Sequence, residues 1–172
     1  LRGGGWVQGY NCQAFTAEDG IIIATGVGTS PSDVTYYEQM VDKAVAAAAV
    51  IADGQGRCLL VRKRGTEYFM QPGGKPEIGE APEAALIREL EEELNFIVSP
   101  EELVPLGRFT DTAANEPGHT VSADIFQIAT NRASFTPTAE IEEVIWYTPG
   151  QDRHIKLAPL TENHLLPLLK GA

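Results

Sequence analysis

The order of apolar and polar positions divides the chain into a short first block and a longer second one. In the first, Trp6, Tyr10, Cys12 and Ala14 fall on one face of an extended chain, Glu18-Asp19-Gly20 is turn-like, and Ile21 to Val27 is β-branched and apolar. The pattern predicts a β-hairpin, and after the GTSPSD loop Asp33 can start a short helix reaching about Val41. In the second block, AVAAAAVIA and CLLVRKR flank Asp53-Gly54-Gln55-Gly56, which reads as a hairpin turn. Alanine is a poor strand former, so periodicity alone leaves Ala44 to Ala49 open between helix and strand. Pro82 and the strong helix formers after it predict a helix over 81–94. At about 100° per residue, Ala84, Ile87, Leu90, Glu91 and Leu94 form its core face, and Glu89, Glu92 and Glu93 gather opposite, around Ala85. Further on, Phe96 to Val98, Leu103 to Thr110, Thr120 to Ala129 and Glu140 to Trp146 read as extended, with AANEPGH an irregular loop. A helix from about Thr161 closes the chain, with Leu165, Leu166, Leu168 and Leu169 packed on the sheet and Pro167 interrupting it.

Composition narrows the classes of function. A chain of 172 residues, 43% hydrophobic and 22% charged, is a soluble globular composition. A formal net charge of −11 argues against a stable nucleic-acid partner or an anionic membrane surface, both of which call for basic surface. It suits a protein that recruits divalent cations to meet anionic phosphates. Cys12 and Cys58 read as packed thiols in a reducing compartment. The longest apolar run, Ala44 to Ala52, is too short to span a bilayer, and no signal-peptide layout is seen at Leu1, so a cytoplasmic location is expected.

The acidic helix face carries the candidate chemistry, and two readings of it stand side by side. Glutamates on helices are mostly solvated surface, yet Glu89 meets Glu92 and Glu93 at i+3 and i+4, a repulsive spacing that a bound cation would relieve. Hard oxygen ligands on adjacent turns suit Mg²⁺ or Mn²⁺, and the small Ala85 leaves room for a ligand. Arg88 can pair with Glu92 or hold a ligand carboxylate. Just upstream, Gly73, Gly74 and Gly79 let the backbone bend and approach a ligand.

The run Gly74, Glu80, Arg88-Glu89-Leu90, Glu92-Glu93, Asn95-Phe96, with five, seven, one and one residues between, resembles the Nudix box of the Nudix hydrolases. It departs at Asn95, where the family has glycine; asparagine is the next most tolerant residue for a left-handed helix cap. The resemblance implies an α/β (α+β) Nudix fold over residues 41–172, a mixed β-sheet sandwiched between helices, and assigns Ala44 to Ala49 to a strand. It also implies Mg²⁺ or Mn²⁺ held by Glu89, Glu92 and Glu93 with a backbone carbonyl of Gly73 or Gly74, while Glu80 and Arg88 orient these ligands. A further glutamate comes from the Glu140 region, Glu140 first and Glu143 in reserve. Arg62 and Arg64, facing the same way on a strand, are candidate phosphate contacts, and Phe69, Gln71, Asn115 and His119 candidate substrate contacts, each with an ordinary surface or core role as the alternative.

The implied reaction is hydrolysis of a pyrophosphate bond in a nucleoside diphosphate linked to another moiety; the alternative is a Nudix-fold module that binds a nucleotide without cleaving it. Residues 1–40 carry a second resemblance: GYNCQA and the following IIIATGV resemble part of the RNase H-like catalytic domain of insertion-sequence transposases. The segment is too short for that fold and shows no acidic triad, so it is expected to be an N-terminal extension without transposase activity. Its apolar residues are expected to pack on the Nudix domain or on a second copy of the chain in a homodimer.

Overall fold

The computed structural model describes residues 11–16, 22–28, 45–115, 118–150 and 154–169. The chain divides into two compact units, Leu1–Asp42 and Lys43–Ala172. In the first unit β1 (Asn11–Thr16) and β2 (Ile22–Gly28) pair antiparallel, Asn11 opposite Gly28, with a register shift between Phe15 and Thr16. The expected helix after Asp33, like Trp6 and Tyr10, lies outside the described residues.

The second unit is built on one mixed sheet. Its strands are β3 (Val45–Ala52), β4 (Cys58–Lys63), β5 (Tyr68–Met70), β6 (Gly73–Gly74), β7 (Val104–Thr112), β8 (Thr120–Ala129), β9 (Ile141–Tyr147) and β10 (Lys156–Leu157). They run in the order β10-β5-β4-β3-β8-β7, with β6 beside β3 and β9 beside β4. The pairs β3–β8 and β10–β5 are parallel and the others antiparallel. The period of two assigns the faces. Ala47, Ala49 and Ile51 of β3 pack with Leu59, Val61 and Ile128 against Leu86, Leu90 and Leu94 of α1 (Pro82–Leu94). On the other face Val50, Leu60 and Ile125 pack with Leu160, Leu165 and Leu166 of the C-terminal segment. The sheet is therefore sandwiched between helices.

The alanines of β3 form a strand because tertiary pairing overrides their weak preference. Val45 to Ala52 lie in continuous register with Ser122 to Ala129, and Gly73 pairs with Ala48. Small side chains are required there: a Cβ on Gly73 would lie 2.2 Å from the Ala47 carbonyl oxygen.

The core face of α1 is rotated from the one the sequence predicts. Ala84 and Glu91 are exposed, and the buried residues are Ala85, Leu86, Leu90, Glu93 and Leu94. A glutamate can occupy that face because partners from β4 and the glycine loop, described below, meet its carboxylate. Phe96 to Val98 form no strand; Phe96 and Val98 are buried as the chain leaves α1 for a 3₁₀ turn at Pro100–Glu102. At the C-terminus the irregularity precedes Pro167: Thr161–Leu165 is a π-type turn, followed by α2 (Leu166–Leu169). Without an N–H, Pro167 cannot close the ordinary α bond to residue 163. Leu168 is exposed rather than packed. Strands β5, β6 and β10 were not predicted; two or three residues carry no readable period.

Asn95 caps α1 in the left-handed conformation, φ 48°, its N–H donating to the Glu91 carbonyl. Arg132 Nη1 donates to the Asn95 carbonyl at 3.2 Å, and its guanidinium lies over the Phe96 and Phe135 rings. Glycine adopts that conformation at no steric cost, so Asn95→Gly is expected to raise stability by about 0.5 kcal/mol. A urea midpoint that fell instead would show that the asparagine side chain contributes more than its backbone strain costs. Among the described residues no helix is long and apolar enough to cross a membrane.

Candidate functional site

A cavity of about 480 Å³ opens beside the first half of β3. Its floor is made of small side chains, Ala46, Ala47, Ala48 and Ala123, whereas further along β3 Val50 and Ile51 fill the core. Charged side chains and the glycine backbone come from four directions, Gly73, Gly74 and Lys75 from the glycine loop, Glu89 from α1, Lys63 from β4 and Glu140 from the turn before β9, and Thr112, Asn115 and Thr120 add neutral polar groups from β7, β8 and the loop between them.

The glycine loop lies directly against the acidic helix. Gly73, at φ 142°, donates its N–H to Glu93 Oε2 at 3.1 Å. A Cβ on Gly74 would come within 2.3 Å of the Glu89 carboxyl group. The glycines are there because backbone and carboxylates share one space.

Two resident cations organise these carboxylates. Arg88 forks onto Glu80, Nε to Oε1 at 3.1 Å and Nη2 to Oε2 at 2.9 Å, while Nη1 donates to Glu89 Oε1 at 2.9 Å. Glu92 is farther out, its Oε2 3.6 Å from Arg88 Nη1 and its side chain 56% exposed. Glu80 also accepts the Glu77 N–H at 2.8 Å, which closes the loop before α1. The Arg88 hydrogen bonds hold the Glu80 carboxyl below its usual pKa, and those of Glu80 raise the guanidinium's. Arg88 thus fixes where Glu89 points. Arg88→Lys, which keeps the charge and loses the fork, is expected to lower kcat/KM about 10- to 100-fold with little change in secondary structure. Wild-type turnover in that variant would reduce Arg88 to a surface ion pair.

The second cation is Lys63. Its Nζ lies 3.2 Å from Glu93 Oε1 and donates a hydrogen bond to Glu140. Burial pushes the Glu93 carboxyl above its usual pKa, with Lys63 and the Gly73 N–H acting against the shift. Burial disfavours the Lys63 ammonium too, but the Glu140 and Glu93 carboxylates outweigh it and its pKa lies above the ordinary value.

Glu89, Glu140, Gly73, Gln71 and Asn115 all border the cavity. Gln71 does so with its amide turned into the core, where Oε1 accepts from Thr161 Oγ1 at 2.6 Å. Phe69 is buried in the sheet's other core, against Leu60 and Leu165, and does not border the cavity. His119 is exposed outside the cavity lining. Arg62 and Arg64 do not reach the cavity either: Arg62 is held by Glu142, Glu143 and the Thr66 carbonyl, and Arg64 is exposed. Glu143 is engaged on that outer side, whereas Glu140 meets Lys63. The β4 cation that does border the cavity, Lys63, sits between those two arginines in sequence. Strand alternation was the signal that could have found it, since an extended chain points Lys63 away from Arg62.

Among the described residues no three acidic, histidine or cysteine side chains converge as a ready-made metal cage. The donor set nevertheless fits a hard cation. Glu93 Oε1 is buried and accepts no well-aligned hydrogen bond, and the lysine ammonium beside it already stands where positive charge is wanted. Cys58, a buried thiol whose pKa burial pushes up to about 12, takes no part.

Comparison with known proteins agrees with this architecture. The family model for the NUDIX domain matches residues 42–168. A MutT-like protein of Streptomyces ambofaciens is 28% identical over 128 residues, covering 74% of this chain and 78% of its own. Among solved structures, the MutT protein of Methanosarcina mazei Go1 superposes with a TM-score of 0.59 at 18% identity, over 74% of this chain and 92% of its own. A Francisella tularensis bifunctional NMN adenylyltransferase/ADP-ribose pyrophosphatase, complexed with AMP and a Mn ion, gives 0.59 at 17% identity, over 80% of this chain and 46% of its own. The two structural likenesses are likenesses of fold.

Proposed function

This chain belongs to the NUDIX domain family and is a Nudix hydrolase, and we propose that it cleaves the pyrophosphate bond of a nucleoside diphosphate linked to another moiety, with Mg²⁺ or Mn²⁺. The observation that carries the reading is the meeting of Glu89, Glu140 and the Gly73–Gly74 backbone at one cavity, with Glu93 buried directly behind the loop. Glu89, Glu92 and Glu93, with the Gly73 carbonyl, would hold the metal. A bound divalent cation supplies neutralisation of the phosphate charge and a more acidic water.

The chain's own residues account for the rest. Arg88 and Glu80 keep Glu89 turned toward the loop. Glu140, its side chain 58% exposed at the cavity edge, is placed to accept a proton from an attacking water. Lys63 and Lys75 supply positive charge at the same mouth. Asn115 and the apolar floor of Ala46, Ala48 and Val121 can receive the rest of a nucleotide. The AMP and Mn ion bound by the Francisella protein support both the nucleotide class and the metal. We place the catalytic unit at 41–172, with 1–40 an appended hairpin, and the protein in the cytoplasm.

A Mg²⁺-dependent screen over oxidised and normal nucleoside triphosphates, ADP-ribose, dinucleoside polyphosphates and nucleotide sugars tests this. A nucleoside monophosphate is the expected product. Binding of substrates without product release, with metal saturating, would make the chain a sensor instead.

A further inference from the structure

We propose that Lys63 is the resident counter-ion of the glutamate site, which holds Glu93 until a divalent cation replaces it; the inference rests on the metal-dependent reading above. Glu93 is 1% exposed, and a buried carboxylate requires a compensating charge. Lys63 Nζ supplies it at 3.2 Å while hydrogen-bonding Glu140 as well, and no other donor among the described residues reaches Glu93 Oε1. Charge is balanced at that oxygen while its lone pairs remain open to a ligand that can coordinate them.

The two resident cations differ in how firmly they are anchored. Arg88 is forked onto Glu80 and donates to Glu89 at the same time, so it stays in place. Lys63 sits on a flexible stem, 25% exposed, with Glu140 as a second partner at the edge of the cavity. It can give up Glu93, keep Glu140 and remain at the mouth of the cavity, where an anionic substrate would meet it. Lys63 and the metal therefore compete for Glu93: the lysine keeps the metal-free protein folded and weakens metal binding in return.

Titration of the full chain with Mn²⁺, free ion being counted by electron paramagnetic resonance, tests the competition. Lys63→Met is expected to bind Mn²⁺ about fivefold more tightly than the wild type, the loss of one partly buried ion pair. Its melting temperature should also rise more on Mn²⁺ addition, and a variant that folded only with Mn²⁺ would support the same conclusion. Equal or weaker Mn²⁺ affinity in a folded Lys63→Met would overturn it. A measurement on the unmutated chain removes dependence on the variant. Saturating Mg²⁺ should speed acylation of the Lys63 amine several-fold relative to Lys156, read by mass spectrometry, and an unchanged rate with Mg²⁺ bound would also overturn it. Absence of any Mn²⁺ binding would defeat the metal-dependent function as well, whereas binding without Lys63 release defeats this inference alone.

Discussion

Glu93→Gln is expected to lower kcat on the order of 10³-fold in a Mg²⁺-dependent assay while leaving the circular dichroism spectrum unchanged. The amide is isosteric, and its oxygen can still accept the Gly73 N–H that now goes to Glu93 Oε2. It cannot carry the negative charge that a hard cation needs. The stability change should be small, about 1–2 kcal/mol, because two effects oppose each other. The Lys63 ion pair is lost, yet a neutral side chain no longer suffers the desolvation that raises the Glu93 pKa. Lys63 keeps Glu140 as its partner in any case. Loss of Mn²⁺ binding should parallel the loss of turnover. A Glu93→Gln enzyme with wild-type kcat would remove Glu93 from the proposed metal set.

Gly73→Ala should give the largest loss of stability, about 3–5 kcal/mol, enough to unfold a domain of ordinary stability. Three effects act together. The residue sits at φ 142°, which side chains rarely adopt; its new Cβ would lie 2.2 Å from the Ala47 carbonyl oxygen and 2.8 Å from the Ala48 Cα. These are backbone atoms of the central strand, so neither can rotate away. Gly74→Ala provides the control. Its Cβ would strike the Glu89 carboxyl at 2.3 Å, the far end of a side chain that can swing aside. That variant should stay folded, with most activity lost because Glu89 is displaced. Thermal melting and turnover of the pair separate the two outcomes; equal melting would show that the loop, rather than β3, absorbs the Gly73 methyl group.

Much of the site was legible because its determinants are local. Pro82 and the helix formers after it set α1, and fixed spacing placed Glu89, Glu92 and Glu93 on adjacent turns. Asn95 was readable as a left-handed cap, and its φ of 48° follows from the short amide side chain. Less legible was the helix's rotation. Hydrophobicity placed Ala84 and Glu91 inward, but burial of Glu93 depends on Lys63, a residue on another element that sequence spacing cannot bring near.

By itself the sequence determined the acidic helix, the glycine bends before it and the strand periods, since each depends on backbone preferences within a few residues. Only the tertiary structure decided which side of each element meets the cavity. Strand alternation shows that Arg62 and Arg64 share a face and that Lys63 has the other, but both faces of a sandwiched sheet are covered. The glutamates lie on the side of α1, where Lys63 meets Glu93, while Arg62 was left to pair with Glu142 and Glu143. In sequence α1 likewise carries a row of repelling glutamates. In the fold Arg88 from the same helix and Lys63 from β4 meet Glu89 and Glu93, which offsets the like-charge repulsion along the turn.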